Sequence, residues 1–115
     1  MDVVYYLSTC DTCRKILKSL PENNLELREI KQQPITQQEL DHMKDLAGSY
    51  EALLSRKAQL YESRGLKDQK LAEQDYKSLI LEHYTFLSRP VFMIGEKIFI
   101  GNSAGNVQNV IVALK

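Results

Sequence analysis

VVYYLSTCDTC, residues 3–13, joins an apolar run to two cysteines that are separated by two residues. The apolar run predicts a buried strand, and the spacing of the residues that follow predicts a helix over residues 11–20. One face of that helix carries Cys13, Ile16, Leu17 and Leu20. A Cys-x-x-Cys at a strand-to-helix turn is typical of thiol redox chemistry.

The position of Cys10 at a helix start favours its thiolate form. The first N–H groups of a helix have no partner within the helix, and together they carry partial positive charge that stabilises an anion. Arg14 and Lys15 add positive charge beside it. Because the thiolate is the reactive form of cysteine, Cys10 is the candidate nucleophile and Cys13 the candidate second redox residue.

The two cysteines have three alternative roles. A structural zinc site needs two more ligands, and His42 and His83 do not have a paired ligand spacing. Two buried, unreactive cysteines remain an alternative, since free cysteine packs as a small hydrophobe. A stable disulfide is disfavoured because no signal peptide is evident and the cytosol is reducing. We therefore expect a cytoplasmic protein without a bound metal.

Composition limits the class of protein. A chain of 115 residues is expected to form one domain, and 43% hydrophobic content is ordinary for a globular protein. Fifteen basic and fifteen acidic residues give zero net charge, which argues against direct binding of nucleic acid. No apolar stretch approaches membrane-spanning length. We expect a monomer that binds neither membrane nor nucleic acid.

Two strands and a helix-rich middle segment follow from local patterns. Residues 25–30 alternate, with Leu25 and Leu27 predicted to be buried and the charged residues between them solvated. A capping box of Thr36 and Glu39 begins a helix over residues 36–47. Further helices are predicted at 50–55 and 71–84, which makes residues 36–84, approximately, a helical insert.

The C-terminal part returns to strands. Residues 91–94 and 97–100 flank Gly95-Glu96, which suits a type II′ hairpin turn, and a last helix follows residues 101–103. The order is β-α-β, a helical insert, then β-β-α. It predicts an α/β domain over residues 1–115 with a four-stranded mixed sheet covered by helices on both faces.

This order, with Cys-x-x-Cys after the first strand, resembles the thioredoxin fold. The motifs CDTCRK at residues 10–15, ALLSR at 52–56 and SRPV at 88–91 resemble the arsenate reductase (ArsC-like) family in both order and spacing. That family includes Spx-type transcription regulators. The resemblance covers nearly the whole chain.

The resemblance implies roles for particular residues. Cys10 matches the family's nucleophile, and Arg89 matches an oxyanion-binding arginine that precedes a cis-proline, here Pro90. Arg56 is a further candidate for oxyanion binding, and Arg14 is a third. Arsenate reductases of this type also carry an arginine on the last strand, whereas residues 99–102 here read FIGN. The N–H groups of residues 101–103 are possible replacement donors at a helix start.

Three functions remain open at this point. The first is reduction of arsenate or a related oxyanion, for which the family resemblance implies glutathione and glutaredoxin as external reductants and no bound cofactor. The second is an Spx-like regulator that binds RNA polymerase and senses oxidation through Cys10 and Cys13. The third is glutathione-dependent thiol–disulfide exchange, with Cys13 as the resolving thiol.

Overall fold

The computed structural model describes residues 2–115 of the chain. Two compact units are present: residues 2–33 together with 89–115 form the first, and residues 34–88 form the second. Within the described residues, no helix combines the length and the apolar character needed to cross a membrane. The count of one domain stays a prediction.

The first unit is built on a four-stranded mixed sheet, as the sequence predicts. Its elements are β1 (Val3–Tyr6), α1 (Asp11–Ser19), β2 (Glu26–Glu29), β3 (Val91–Ile94), β4 (Lys97–Ile100) and α5 (Ala104–Leu114). The strand order is β2-β1-β3-β4. β1 and β2 are parallel, whereas β3 is antiparallel to both β1 and β4.

A buried cluster holds two helices on one face of this sheet. Val4 of β1 and Phe92 of β3 pack with Ile16 of α1 and Val110 of α5. On the opposite face, the side chains of alternate β1 and β3 residues are also buried; they are Val3, Tyr5, Val91 and Met93. The two central strands therefore have buried side chains on both faces, which explains why their sequences are almost wholly apolar.

The prediction that Leu27 is buried is wrong. Its side chain is 57% exposed, although Leu25 packs against the buried cluster. β2 is an edge strand that pairs only with β1, and the cluster on this face includes Leu25 but not Leu27. The alternation of apolar and charged residues in β2 therefore predicted a larger core than the structure has, because this strand lies at the edge of the sheet.

The β3–β4 connection is a two-residue turn, as the sequence predicts. Ile94 pairs with Lys97, and Gly95 has φ +62°, the sign that a type II′ turn requires at its first central position. The N–H of Gly95 donates to the Asp2 carboxylate over 2.9 Å. This bond holds the hairpin turn to the residue that precedes β1.

The second unit is helical. It contains α2 (Gln37–Ala47), α3 (Gln59–Ser63) and α4 (Glu73–Glu82), with short 3₁₀ helices at Glu51–Leu53, Leu66–Asp68 and Tyr84–Phe86. These helices lie within the segment predicted as a helical insert, but the sequence did not indicate α3.

Side-chain caps and a polar cluster connect the helices of this unit. The predicted capping box is present, with Thr36 Oγ1 accepting from the Glu39 N–H and Glu39 Oε1 accepting from the Thr36 N–H. Asp41 of α2 accepts a hydrogen bond from the Tyr50 hydroxyl and forms an ion pair with Lys77 of α4. The cluster therefore links α2, the segment after it and α4.

Candidate active site

Cys10 lies at the junction between the β1–α1 loop and the helix. It is the N-cap residue of α1, with extended backbone angles of φ −91° and ψ 113°. Its N–H donates to the Leu7 carbonyl at 3.0 Å, and its carbonyl accepts from the Arg14 N–H at 3.1 Å. The Leu7–Cys10 turn therefore delivers the Cys10 side chain to the start of the helix, as the sequence predicts.

The surroundings of Cys10 favour its thiolate. Partial burial opposes ionisation, but the N–H and thiol of Cys13, the charge of Arg89 and the N–H of Thr12 together outweigh that effect. They hold the pKa of the Cys10 thiol below its ordinary value. A larger fraction of Cys10 is therefore nucleophilic at neutral pH than of an exposed cysteine.

Cys13 has the opposite character. It is completely buried, and burial raises the pKa of its thiol to about 11 despite a hydrogen bond from the backbone and the charge of Arg89. Both cysteines are free, and each thiol shifts the pKa of the other: Cys13 lowers that of Cys10, and Cys10 raises that of Cys13. The geometry provides an acidic thiol at the surface and a protonated thiol behind it.

Arg89 and Pro90 belong to the same unit as the cysteines. The Arg89–Pro90 peptide bond is cis, as predicted for Pro90. Arg89 is partly buried, and its charge lowers the pKa of both cysteine thiols. The structure therefore brings Arg89 close to the candidate nucleophile; its binding of an oxyanion stays a prediction.

The turn after β4 offers fewer free donors than the sequence allows. The Gly101 N–H donates to the Pro90 carbonyl at 2.9 Å, so it is already used within the fold. The Gly101 carbonyl accepts from the Asn106 side chain at 2.8 Å, and Ser103 Oγ accepts from the Asn106 N–H. Gly101 is thus a fixed link between the cis-proline segment and the start of α5.

The other two candidate arginines have acidic partners. Arg14 forms an ion pair with Asp11, one turn earlier on the exposed side of α1. Arg56, in the second unit, pairs with Glu51 at 2.6 Å and hydrogen-bonds with Tyr61. Both guanidinium charges are therefore partly neutralised, which the sequence reasoning did not anticipate. Oxyanion binding by Arg14 and Arg56 stays a prediction.

Sequence reasoning missed Glu29, the last residue of β2. Its carboxylate accepts from the N–H groups of Ser8, Lys31 and Gln32. Burial opposes its ionisation, but these donors, Ser8 first among them, lower the pKa of Glu29. A glutamate at the end of a strand gave no signal of this role, because Ser8 lies 21 residues away in the sequence.

Among the described residues, no group of three or more His, Cys, Asp or Glu could hold a metal ion.

Comparison with protein families decides the relationship. The profile of the ArsC family matches residues 5–110, which is most of the chain. The chain belongs to the ArsC family. A search of the curated proteins found no significant match.

Solved structures share this ArsC-family fold. The YffB protein has a TM-score of 0.84 at 21% identity, with all of both chains covered. An arsenate reductase from Vibrio cholerae has a TM-score of 0.74 at 19% identity, covering 99% of this chain and 97% of the other. A Staphylococcus aureus protein has a TM-score of 0.78 at 24% identity, covering 95% and 97%. At these identities the likeness establishes the thioredoxin-like fold.

Proposed function

We propose that this ArsC-family protein is a thiol-dependent reductase with Cys10 as its nucleophile. The observation that supports this most strongly is the contrast between the two thiols. Cys10 has a lowered pKa at the start of α1, whereas buried Cys13 has a pKa of about 11. A reductase of this kind needs one thiol that attacks readily and does not need a second one to be ionised at rest.

The first candidate substrate is arsenate or a related oxyanion. The Cys10 thiolate attacks the arsenic(V) centre and forms a sulfur–arsenic bond, while one arsenic–oxygen bond breaks and the released hydroxide takes a proton from solvent and leaves as water. A glutathione thiolate then attacks the Cys10 sulfur; arsenic(III) leaves with the electron pair, and a mixed disulfide remains. Glutaredoxin reduces that disulfide. Family membership and the similarity to a protein named as an arsenate reductase support this candidate.

The second candidate is thiol–disulfide exchange, which the proximity of the two free thiols favours, since each shifts the pKa of the other. The Cys10 thiolate attacks a disulfide and releases one thiol. Cys13 then loses its proton and attacks the Cys10 sulfur, which releases the second thiol and forms a Cys10–Cys13 disulfide. Glutathione reduces this disulfide again. The substrate gains two electrons, and the two cysteines lose them.

One coupled assay tests the proposal and separates the candidates. NADPH oxidation is measured through glutathione reductase, glutathione and glutaredoxin, with arsenate or a glutathione mixed disulfide as substrate. Cys10→Ser should abolish both activities. Cys13→Ser should spare arsenate reduction but slow release of the second thiol in exchange, because the mixed disulfide at Cys10 must then be cleaved by glutathione instead of Cys13. Activity of folded Cys10→Ser equal to wild type would overturn the proposal. Capture of RNA polymerase by the oxidised chain would support the regulator prediction instead.

A further inference from the structure

Glu29 lies at the edge of the sheet where Cys10 lies. β1 and β2 are parallel, and their final residues, Tyr6 and Glu29, are paired in register. The Ile30 N–H continues this pairing by donating to the Tyr6 carbonyl at 2.9 Å. The loops that leave both strands therefore begin side by side, and one of them leads to Cys10.

The Glu29 carboxylate joins these two loops. One oxygen, Oε2, accepts from the Ser8 N–H at 2.7 Å. The other, Oε1, accepts from the N–H groups of Lys31 at 2.7 Å and Gln32 at 2.9 Å. Bonds of this kind to an ionised acceptor are about twice as strong as neutral ones. A side-chain amide has a single oxygen and cannot accept on both sides.

We propose that Glu29 is a positioning residue that fixes Ser8 and, through the Leu7–Cys10 turn, holds the Cys10 sulfur at the start of α1. Ser8 lies inside that turn, whose closing bond runs from the Cys10 N–H to the Leu7 carbonyl. If Ser8 moves, the angle at which Cys10 enters the helix moves with it. The proposal rests on the proposed function insofar as Cys10 is the nucleophile.

Glu29 could affect the pKa of Cys10 through its position or through its negative charge, and the two effects have opposite signs. A negative charge near a thiol raises the pKa of that thiol, so neutralising Glu29 would lower the pKa of Cys10 if charge alone mattered. If Glu29 acts by position, neutralising it loosens the turn and weakens the effect by which the N–H groups of Cys13 and Thr12 lower the pKa of Cys10. The pKa of Cys10 then rises. The sign of the change therefore distinguishes the two.

The test measures the alkylation rate of Cys10 against pH, with the modified residue identified by mass spectrometry. Glu29→Gln removes the charge, and Glu29→Asp keeps the charge but shortens the side chain. Both should raise the pKa of Cys10 and slow alkylation about 2- to 5-fold below that pKa, the contribution of a helix start to an anion. The control is Glu26→Gln, an exposed glutamate on the same strand, which should leave the profile unchanged.

An unchanged pKa in both Glu29 variants, or a lowered one in Glu29→Gln, overturns the proposal. If Glu29→Gln does not fold, Glu29→Asp decides. If neither variant folds, the chemical shift of the Ser8 amide is followed against pH in the unaltered chain. It should change as the Glu29 carboxyl is protonated, and an unchanged shift overturns the proposal. The alkylation measurement needs no substrate, so its result does not depend on the proposed function. The proposed function is tested separately, by the activity of Cys10→Ser.

Discussion

Cys10 and Cys13 are separated by one turn of helix and differ in what surrounds their sulfur atoms. Burial opposes ionisation of both thiols, but at Cys10 the N–H groups of Cys13 and Thr12 outweigh it, whereas at Cys13 burial prevails. The helix start and the difference in burial, rather than a dedicated base, therefore create the difference in acidity. Arg89 adds to it from the cis-proline segment.

Alkylation of single-cysteine variants should show this difference directly. With Cys13→Ser, the remaining Cys10 should react with a pKa below that of an ordinary thiol, because the N–H groups and Arg89 outweigh burial. With Cys10→Ser, the pKa of the remaining Cys13 should stay above that of an ordinary thiol, because burial is the largest cause of its shift, and Cys13 should react slowly at neutral pH. Rate is measured against pH for each variant. Two equal pKa values would contradict the argument from the helix start.

Arg89 should contribute charge and shape separately. Arg89→Lys keeps the positive charge, so the pKa of Cys10 should change little, but it loses the two-pronged donor geometry that suits an oxyanion. Arg89→Ala loses both, and the pKa of Cys10 should rise. Thiol alkylation measures the first effect and arsenate or sulfate titration the second. Unchanged anion affinity in Arg89→Ala would remove this residue from the site.

Residue-scale prediction succeeded where the cause is local. The place of Cys10 at a helix start followed from the neighbouring residues. The Arg14–Asp11 pair was not predicted, although three residues apart on a helix is a spacing that allows it. Glu29 was not readable, because its role depends on two parallel strands meeting at one edge. Only the fold brings it to Ser8.

The boundaries of helices and strands were also predictable where neighbouring residues set them, and not where they depend on the rest of the fold. The hairpin at Gly95 and the start of α2 at Thr36 were predicted, because each depends on a few adjacent residues. α3 (Gln59–Ser63) was missed: it is five residues long and contains no buried residue, and its N-cap residue, Ala58, has no side chain that could cap it. The exposure of Leu27 was also missed, because alternation cannot reveal which strand lies at an edge.

The capping box should contribute measurably to stability. Thr36→Ala removes the acceptor for the Glu39 N–H at the start of α2, which should lower the free energy of unfolding by about 1 kcal/mol. Urea denaturation measures it. Gln37→Ala, at the next and exposed position, serves as control and should change stability by less than about 0.5 kcal/mol. Equal effects of the two substitutions would contradict the role of the cap.

α1 and α5 cover one face of the sheet, and the core on that face can be tested with two strand residues. One of them, Phe92, is buried in the core, and the other, Leu27, lies outside it. Phe92 is fully buried in the cluster, so Phe92→Ala should cost about 3–5 kcal/mol of unfolding free energy. Leu27→Ser should cost less than about 0.5 kcal/mol, since the side chain is already in water. Denaturation midpoints compare them. A large loss with Leu27→Ser would contradict this limit of the core.

At the scale of the molecule, family membership and substrate are separate questions. The ArsC profile covers residues 5–110, yet β4 (Lys97–Ile100) lacks the arginine that the family resemblance leads one to expect. The turn beyond it has one donor fewer to replace that arginine, because the Gly101 N–H donates to the Pro90 carbonyl. The chain therefore combines a well-prepared thiol with an incomplete set of cationic donors.

We accordingly predict weak arsenate turnover and more effective exchange with disulfides. One charge-assisted contact to an oxyanion is worth about 1.5–3 kcal/mol, so its absence should weaken arsenate binding about 10- to 150-fold. Ile100→Arg is the substitution that tests this, since Ile100 pairs with Val91 beside Pro90, whereas Gly101 has φ +99° and would be strained by a side chain. Ile98→Arg, two residues earlier on the same face of β4, is the matched control.

The coupled assay should show arsenate turnover rising with Ile100→Arg and not with Ile98→Arg. The gain should appear mainly as a lower KM, because the added arginine binds the oxyanion before any bond changes, while the Cys10 thiolate that performs the attack is unaltered. Efficient arsenate turnover by the unsubstituted chain would contradict the weak-activity prediction. No gain with Ile100→Arg, together with a reversible Cys10–Cys13 disulfide under mild oxidation, would instead favour thiol–disulfide exchange, because that reaction needs the two thiols and no third arginine.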